Sequence, residues 1–206
     1  APAWPQEVGR QMSKTGTIDR RLAVRELMVD RGDLLVVSGL GLPSYDLFAA
    51  GDHDANFYLW GAMGGAAVMG LGLALAQPRR PVLVLTGDGE QLMGLGGFAT
   101  IAAKKPDNLS IVVLDNGQYG ETGMQKSHTG LGVDLHRIAE AAGITAVEIR
   151  ERAAIAAWRP ELRKTSGGPR FATIRVAPEN PERALPARDG VFLKNRFRQH
   201  LGFAVT

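Results

Sequence analysis

Two short polar segments stand where apolar runs end, and their residue types suit metal and phosphate chemistry. The first is Thr86-Gly87-Asp88-Gly89-Glu90, directly after the wholly apolar Pro81–Leu85. Glycines on both sides of an acid let backbone and ligand approach closely. A helix that begins here offers unpaired N–H groups and a positive dipole end to a phosphate. A lone carboxylate would repel that phosphate. A divalent cation between them removes the conflict, and hard oxygen ligands suit magnesium or calcium. The second segment, Asp115-Asn116-Gly117-Gln118, follows Leu109–Leu114. Neighbouring parallel strands end side by side, so the Asn116 amide oxygen and the Gln118 carbonyl can reach the cation held by Asp88. The plainer readings are a helix cap at Asp88 and an Asn-Gly turn.

The elements that must hold these segments alternate along the chain. Thr17 is expected to cap a helix that runs to about Val29. Leu34–Val37 reads as a short strand, and Pro43 opens a helix through Phe48. Asn56–Leu59 reads as a strand and Ala62–Ala76 as a small-residue helix. Strand Pro81–Leu85, helix Gln91–Ala103 and strand Leu109–Leu114 follow, then a glycine-rich loop from Asn116 to Gly132. Asp134 caps a helix to Ala142. Thr145–Ile149 is a strand, Ala153–Arg163 a helix and Phe171–Val176 a strand. This alternation predicts an α/β fold, a doubly wound parallel sheet with helices on both faces. Ligands of such sheets bind beyond the carboxyl ends of the strands, here after Val37, Leu59, Leu85 and Leu114. Residues 1–16 read as an N-terminal arm, 17–178 as one domain, and 179–206 as a tail that wraps the domain or a partner.

Composition narrows the chemistry. The 206 residues are 45% hydrophobic and 22% charged, ordinary for a globular chain. The net charge is only +3, with no basic run interleaved with aromatics, so nucleic acid is not an expected partner. There is no cysteine, which excludes disulfides, zinc-thiolate sites, iron–sulfur clusters and a cysteine nucleophile on this chain. Ala55–Pro78 carries no charge, but its glycines favour a buried helix over a membrane span. Ala1–Gly16 has no apolar core of a leader peptide, and the expected location is the cytoplasm.

The GDG turn at Gly87–Gly89, followed after one helix and one strand by Asn116, resembles the motif of thiamine diphosphate enzymes. Asp115 stands where that motif usually has a first asparagine. The resemblance implies thiamine diphosphate and Mg2+ as cofactors. It makes Asp88 and Asn116 side-chain ligands of the magnesium and Gln118 its carbonyl ligand. Gly87, Gly89 and Glu90 would meet the diphosphate through backbone, with the unusual Glu90 carboxylate turned away. Trp60-Gly61-Ala62-Met63-Gly64 is similar to the family's glycine-bounded turn. There the Gly61 carbonyl would accept from the cofactor's amino group, and Met63 would be the apolar wedge that keeps the cofactor bent. Its plain alternative is core packing.

Gly41-Leu42-Pro43-Ser44 and Asn56-Phe57-Tyr58-Leu59, ahead of Gly61–Gly64, resemble the small two-subunit decarboxylases of the sulfopyruvate and phosphonopyruvate type. Gly41, Ala62, Tyr119 and Gly120 join the cofactor contacts on this resemblance. It implies decarboxylation of a small 2-oxo acid. It also implies a hetero-oligomer in which a separate pyrimidine-binding subunit supplies the activating glutamate. Tyr119, Glu121 and His128 are the candidate acid–base groups on this chain, each with a plainer reading as a packing or solvated loop residue. Lys126 and Arg79-Arg80 could attract an anion. The alternatives are a thiamine-dependent carboligase of the acetolactate synthase type, a split oxidoreductase, or a cofactor-binding subunit without catalysis. A nucleotide-binding dehydrogenase is a weaker rival, since Ser44 stands where its third glycine belongs.

Overall fold

A computed structural model describes residues 16–205. All but the last residue of the expected arm lies outside the described residues. The strands β1 (Leu35–Ser38), β2 (Asn56–Tyr58), β3 (Val82–Gly87), β4 (Leu109–Asp115), β7 (Thr145–Ile149) and β8 (Arg170–Arg175) make one sheet. Their order is β2-β1-β3-β4-β8-β7, and every neighbouring pair is parallel. Two short strands, β5 (Gln118–Tyr119) and β6 (Gln125–Lys126), form a separate antiparallel hairpin.

The sheet is covered on both faces because Val82–Leu85 and Ile111–Leu114 of its central strands are apolar at every position. Along β3, Leu83 and Leu85 pack into one core while Val82 and Val84 pack into the other. β4 divides likewise, with Val112 and Leu114 on one side and Ile111 and Val113 on the other. The period of two is the pleat of a strand. Each such side chain, fully buried, contributes roughly 1.5–3 kcal/mol relative to exposure. One face is covered by α1 (Arg20–Met28), α2 (Leu42–Ala49) and α7 (Arg152–Trp158), through Val24, Leu27, Leu47 and Ile155. The other is covered by α3 (Ala66–Ala76), α5 (Gly97–Lys104) and α6 (Leu135–Ala141), through Leu71, Ile101 and Leu135. No helix of the described residues is long and apolar enough to cross a membrane.

Several element ends differ from the sequence expectation. Asp19, not Thr17, caps α1 by accepting from the Leu22 N–H at 2.9 Å. The expected helix from Ala62 starts at Ala66, because Gly61 and Gly64 take φ of 71° and 88° and keep Ala62–Gly65 in a turn. The expected helix Gln91–Ala103 is two. α4 (Asp88–Met93) begins earlier and stops at Gly94, and α5 follows. Gly94 lies against the Gly64 carbonyl so closely that a Cβ there would sit 2.3 Å from the oxygen. Asp134 holds the N-cap position of α6 without a side-chain cap bond. Its carboxylate turns instead to Arg175, 3.2 Å away. Pro160 tightens the end of the expected helix 153–163 into the 3-10 turn Arg159–Arg163.

After β8 the chain passes over the carboxyl ends of the strands. Asn180 donates to the Gly120 carbonyl (3.2 Å), and the Trp60 indole N–H donates to the Ala187 carbonyl (2.9 Å). The last helix, α8 (Gly190–His200), then lies beside β2, with Phe197 edge-on to Phe57. From β1 the chain moves outward to β2, and from β3 it moves the other way to β4. The carboxyl ends of β1 and β3 therefore flank the switch point of the sheet, where a crevice opens.

Candidate active site

The crevice is an open cleft of about 170 Å³. Leu40, Leu42 and Pro43 line it from the loop after β1, Gly87–Glu90 from the turn after β3, and Leu114 and Asn116 from the end of β4. Gln118–Thr122 of the hairpin segment and Met63 complete most of the wall.

Asp88 is 2% exposed at the start of α4. Its Oδ2 accepts from the hydroxyls of Ser127 and Thr129, the latter at 2.9 Å. The same Thr129 oxygen lies 2.8 Å from Asp115 Oδ1. One hydroxyl hydrogen cannot serve both carboxylates, so the hydroxyls alone leave the pair under-compensated. Asp115 is neutralised from the other side by Arg175, which also reaches Glu148 Oε1 at 2.6 Å. Asp88 has no cation among its described contacts. Burial first, and the Asp115 charge second, push its carboxyl up to about 6. Burial likewise pushes Asp115 up, against the pull of Arg175.

These features test the fit of a hard cation. Ser127 and Thr129 grip one oxygen of Asp88, and the other takes no side-chain partner. Asn116 Oδ1 accepts only the Gln118 N–H, at 3.0 Å, and keeps a second lone pair. Gln118 Oε1 is buried without a partner. An all-oxygen donor set with unspent lone pairs suits Mg2+.

Of the two glycines of the turn, Gly89 is sterically required. A Cβ on Gly89 would lie 2.3 Å from the Tyr119 ring, which packs over the GDG turn. Glu90 is 4% exposed. It accepts from the Thr86 hydroxyl at 2.9 Å and lies against Gly39, where a Cβ would meet it. Burial raises its pKa. Met63, between two glycines of positive φ, is 39% exposed and forms part of the wall.

Of the residues singled out from sequence, the structure brings Met63, Gly87, Asp88, Gly89, Glu90, Asn116, Gln118, Tyr119, Gly120 and Glu121 to one cleft. Gly41, Gly61 and Ala62 lie in the adjoining loops rather than in its wall. His128 is exposed and away from the wall, because its neighbours Ser127 and Thr129 turn inward to Asp88. Glu121 pairs with Arg183 at 3.1 Å. Lys126 is exposed, and Arg80 pairs with Asp33 at 2.6 Å, so neither meets the cleft. Sequence reasoning missed Ser127, Thr129, Arg175 and Arg20, the last of which also lines the cleft.

The fold and cleft define a class: an open parallel α/β domain with a carboxylate–glycine turn at its switch point. Comparison with known proteins narrows it. The model of the family "Thiamine pyrophosphate enzyme, C-terminal TPP binding domain" matches residues 46–176, and the chain belongs to this family. Sulfopyruvate decarboxylase subunit beta of Methanothermobacter thermautotrophicus is 38% identical over 180 residues, which cover 87% of this chain and 94% of that one. Phosphonopyruvate decarboxylase of Streptomyces viridochromogenes is 49% identical over 115 residues, 56% of this chain and 28% of that one. Benzoylformate decarboxylase from Polynucleobacter necessarius shares the fold, with a TM-score of 0.65 at 18% identity, over 84% of this chain and 36% of that one.

Proposed function

We propose that the chain is the diphosphate-binding subunit of a thiamine diphosphate- and Mg2+-dependent 2-oxo acid decarboxylase. The observation that carries this reading is Asp88. It stands at the switch point, gripped through one oxygen by Ser127 and Thr129, beside the oxygen donors of Asn116 and Gln118. Bound thiamine diphosphate supplies a nucleophilic carbon and an electron sink for loss of carbon dioxide from a 2-oxo acid.

The chain's own residues bind and orient. Asp88, Asn116 and the Gln118 carbonyl hold the magnesium. Gly87 and Gly89 admit the diphosphate to the backbone, and the Glu90 side chain is turned toward Thr86 and Gly39. The Gly61–Gly64 turn presents Met63 as an apolar wall. Tyr119 and Glu121 line the cleft from the hairpin segment, and they hold or move the proton that replaces carbon dioxide.

The cleft alone is smaller than the roughly 300–1,000 Å³ of a closed small-molecule site. Relatives named as beta subunits, and single-chain relatives matched over 28% of their length, support a second, pyrimidine-binding subunit that closes the cleft. Its sulfopyruvate- and phosphonopyruvate-directed relatives support a small 2-oxo acid with a second anionic group as substrate. The test is to purify the tagged chain gently from its source and weigh what accompanies it. Carbon dioxide release from sulfopyruvate, phosphonopyruvate and pyruvate is then assayed. A stoichiometric partner and Mg2+-dependent turnover are expected. A lone chain that turns over 2-oxo acids would refute the divided site, and an assembly that binds the cofactor without turnover would refute the decarboxylase.

A further inference from the structure

Arg20 opens α1 and is 4% exposed, yet it forms part of the cleft wall. A buried guanidinium ordinarily has its donors taken. Here Nε donates to Asp46 Oδ2 at 2.5 Å. Among the described residues no group accepts from Nη1 or Nη2. Asp46 is fully buried and faces a second cation, with Arg21 Nε 3.6 Å from its other oxygen. Two guanidinium groups against one carboxylate leave this corner positive. Elsewhere the cleft wall is acidic, so an anion entering it is received at Arg20. The wall carries the carboxylates of Asp88, Glu90 and Glu121, and Arg20 is the one cation among the lining residues.

We propose that Arg20 is an oxyanion-binding residue of the cleft. Its free terminal nitrogens receive a phosphate-, phosphonate- or sulfonate-type group, and Asp46 orients the fork from the Nε side. A planar guanidinium suits such a group because two parallel N–H bonds match two of its oxygens. The proposal rests on the cofactor reading of the cleft, and two sources share the chemistry. One is the diphosphate of the cofactor, and the other is the distal anion of the substrate.

The test uses the assembled protein with Arg20→Gln and Asp46→Asn together, which removes one charge of each sign and leaves the net charge of the corner, now carried by Arg21, unchanged. If the source is the cofactor, the Kd of thiamine diphosphate rises at least tenfold while that of thiamine is unchanged. If the source is the substrate, cofactor Kd is unchanged and the KM of sulfopyruvate or phosphonopyruvate rises at least tenfold while that of pyruvate does not. Unchanged values in both arms overturn the proposal. A wild-type protein that binds no thiamine diphosphate refutes the cofactor reading instead. For that case, and for a variant that fails to fold, the Arg20 side-chain resonance of the wild type is followed during titration with methylphosphonate. A saturable shift supports the proposal, and a static resonance overturns it.

Discussion

Thr129→Val keeps the shape of a fully buried side chain and removes its hydroxyl. That hydroxyl lies 2.9 Å from Asp88 Oδ2 and 2.8 Å from Asp115 Oδ1. A hydrogen bond to a charged group contributes about 1.5–3 kcal/mol. Valine cannot relax this loss, because Ser127 already donates to the same Asp88 oxygen. For a domain of this size, each kcal/mol moves the melting temperature by about 2–4 °C. The expected drop is thus about 3–12 °C, read by circular dichroism at neutral pH without magnesium. Thr129→Ser retains the donor and loses a methyl group, so it should fall by less. Saturating Mg2+ and thiamine diphosphate should raise the Thr129→Val melt by less than they raise the wild type, since a less firmly held Asp88 binds magnesium more weakly. A Thr129→Val protein that melts within 1 °C of the wild type would refute the positioning role. So would equal losses for Val and Ser.

Arg175→Met leaves Asp115, Glu148 and Asp134 without their shared cation, and breaking a buried pair in this way costs about 3–5 kcal/mol. Chemical denaturation should show that loss, and a change under 1 kcal/mol would contradict the network. His53 and His200 stack edge-on at 5.6 Å. Burial, with Arg31 beside His53 and Arg80 beside His200, lowers both pKa values. The unfolded chain therefore takes up protons first as pH falls below about 6.5. Stability should decline with acidification below that point, and His200→Gln should flatten the slope. An unchanged slope in that variant would sink the assignment. Gly94→Ala places a Cβ 2.3 Å from the Gly64 carbonyl, and overpacking of this kind costs about 1–3 kcal/mol. A melt equal to the wild type would show that the contact between the two turns yields freely.

The parts of the cleft that were legible in sequence are those at the ends of apolar strands. Pro81–Leu85 and Leu109–Leu114 mark their own carboxyl ends, and Asp88 and Asn116 follow at once. Strand Thr145–Ile149 appears with the same bounds in the structure. Residues that act across the chain carry no such mark. Ser127 and Thr129 reach Asp88 over sequence separations of 39 and 41 residues, from a loop with no periodicity. Arg20 and Asp46 carry no local mark either, and the packing of α1 against α2 buries them. The helix break at Gly94 depends on the backbone of Gly64, a contact that local propensity does not encode. His128 looked like Tyr119 and Glu121 in sequence, and the inward turn of its two neighbours sets it apart.

Titration calorimetry of thiamine diphosphate into the purified assembly, with Mg2+ or with a chelator, tests the central claim most directly. Saturable binding should require the metal, and Asp88→Ala should abolish it while the folded melt persists. An Asp88→Ala protein that binds thiamine diphosphate as tightly as the wild type would contradict the assignment of the cleft.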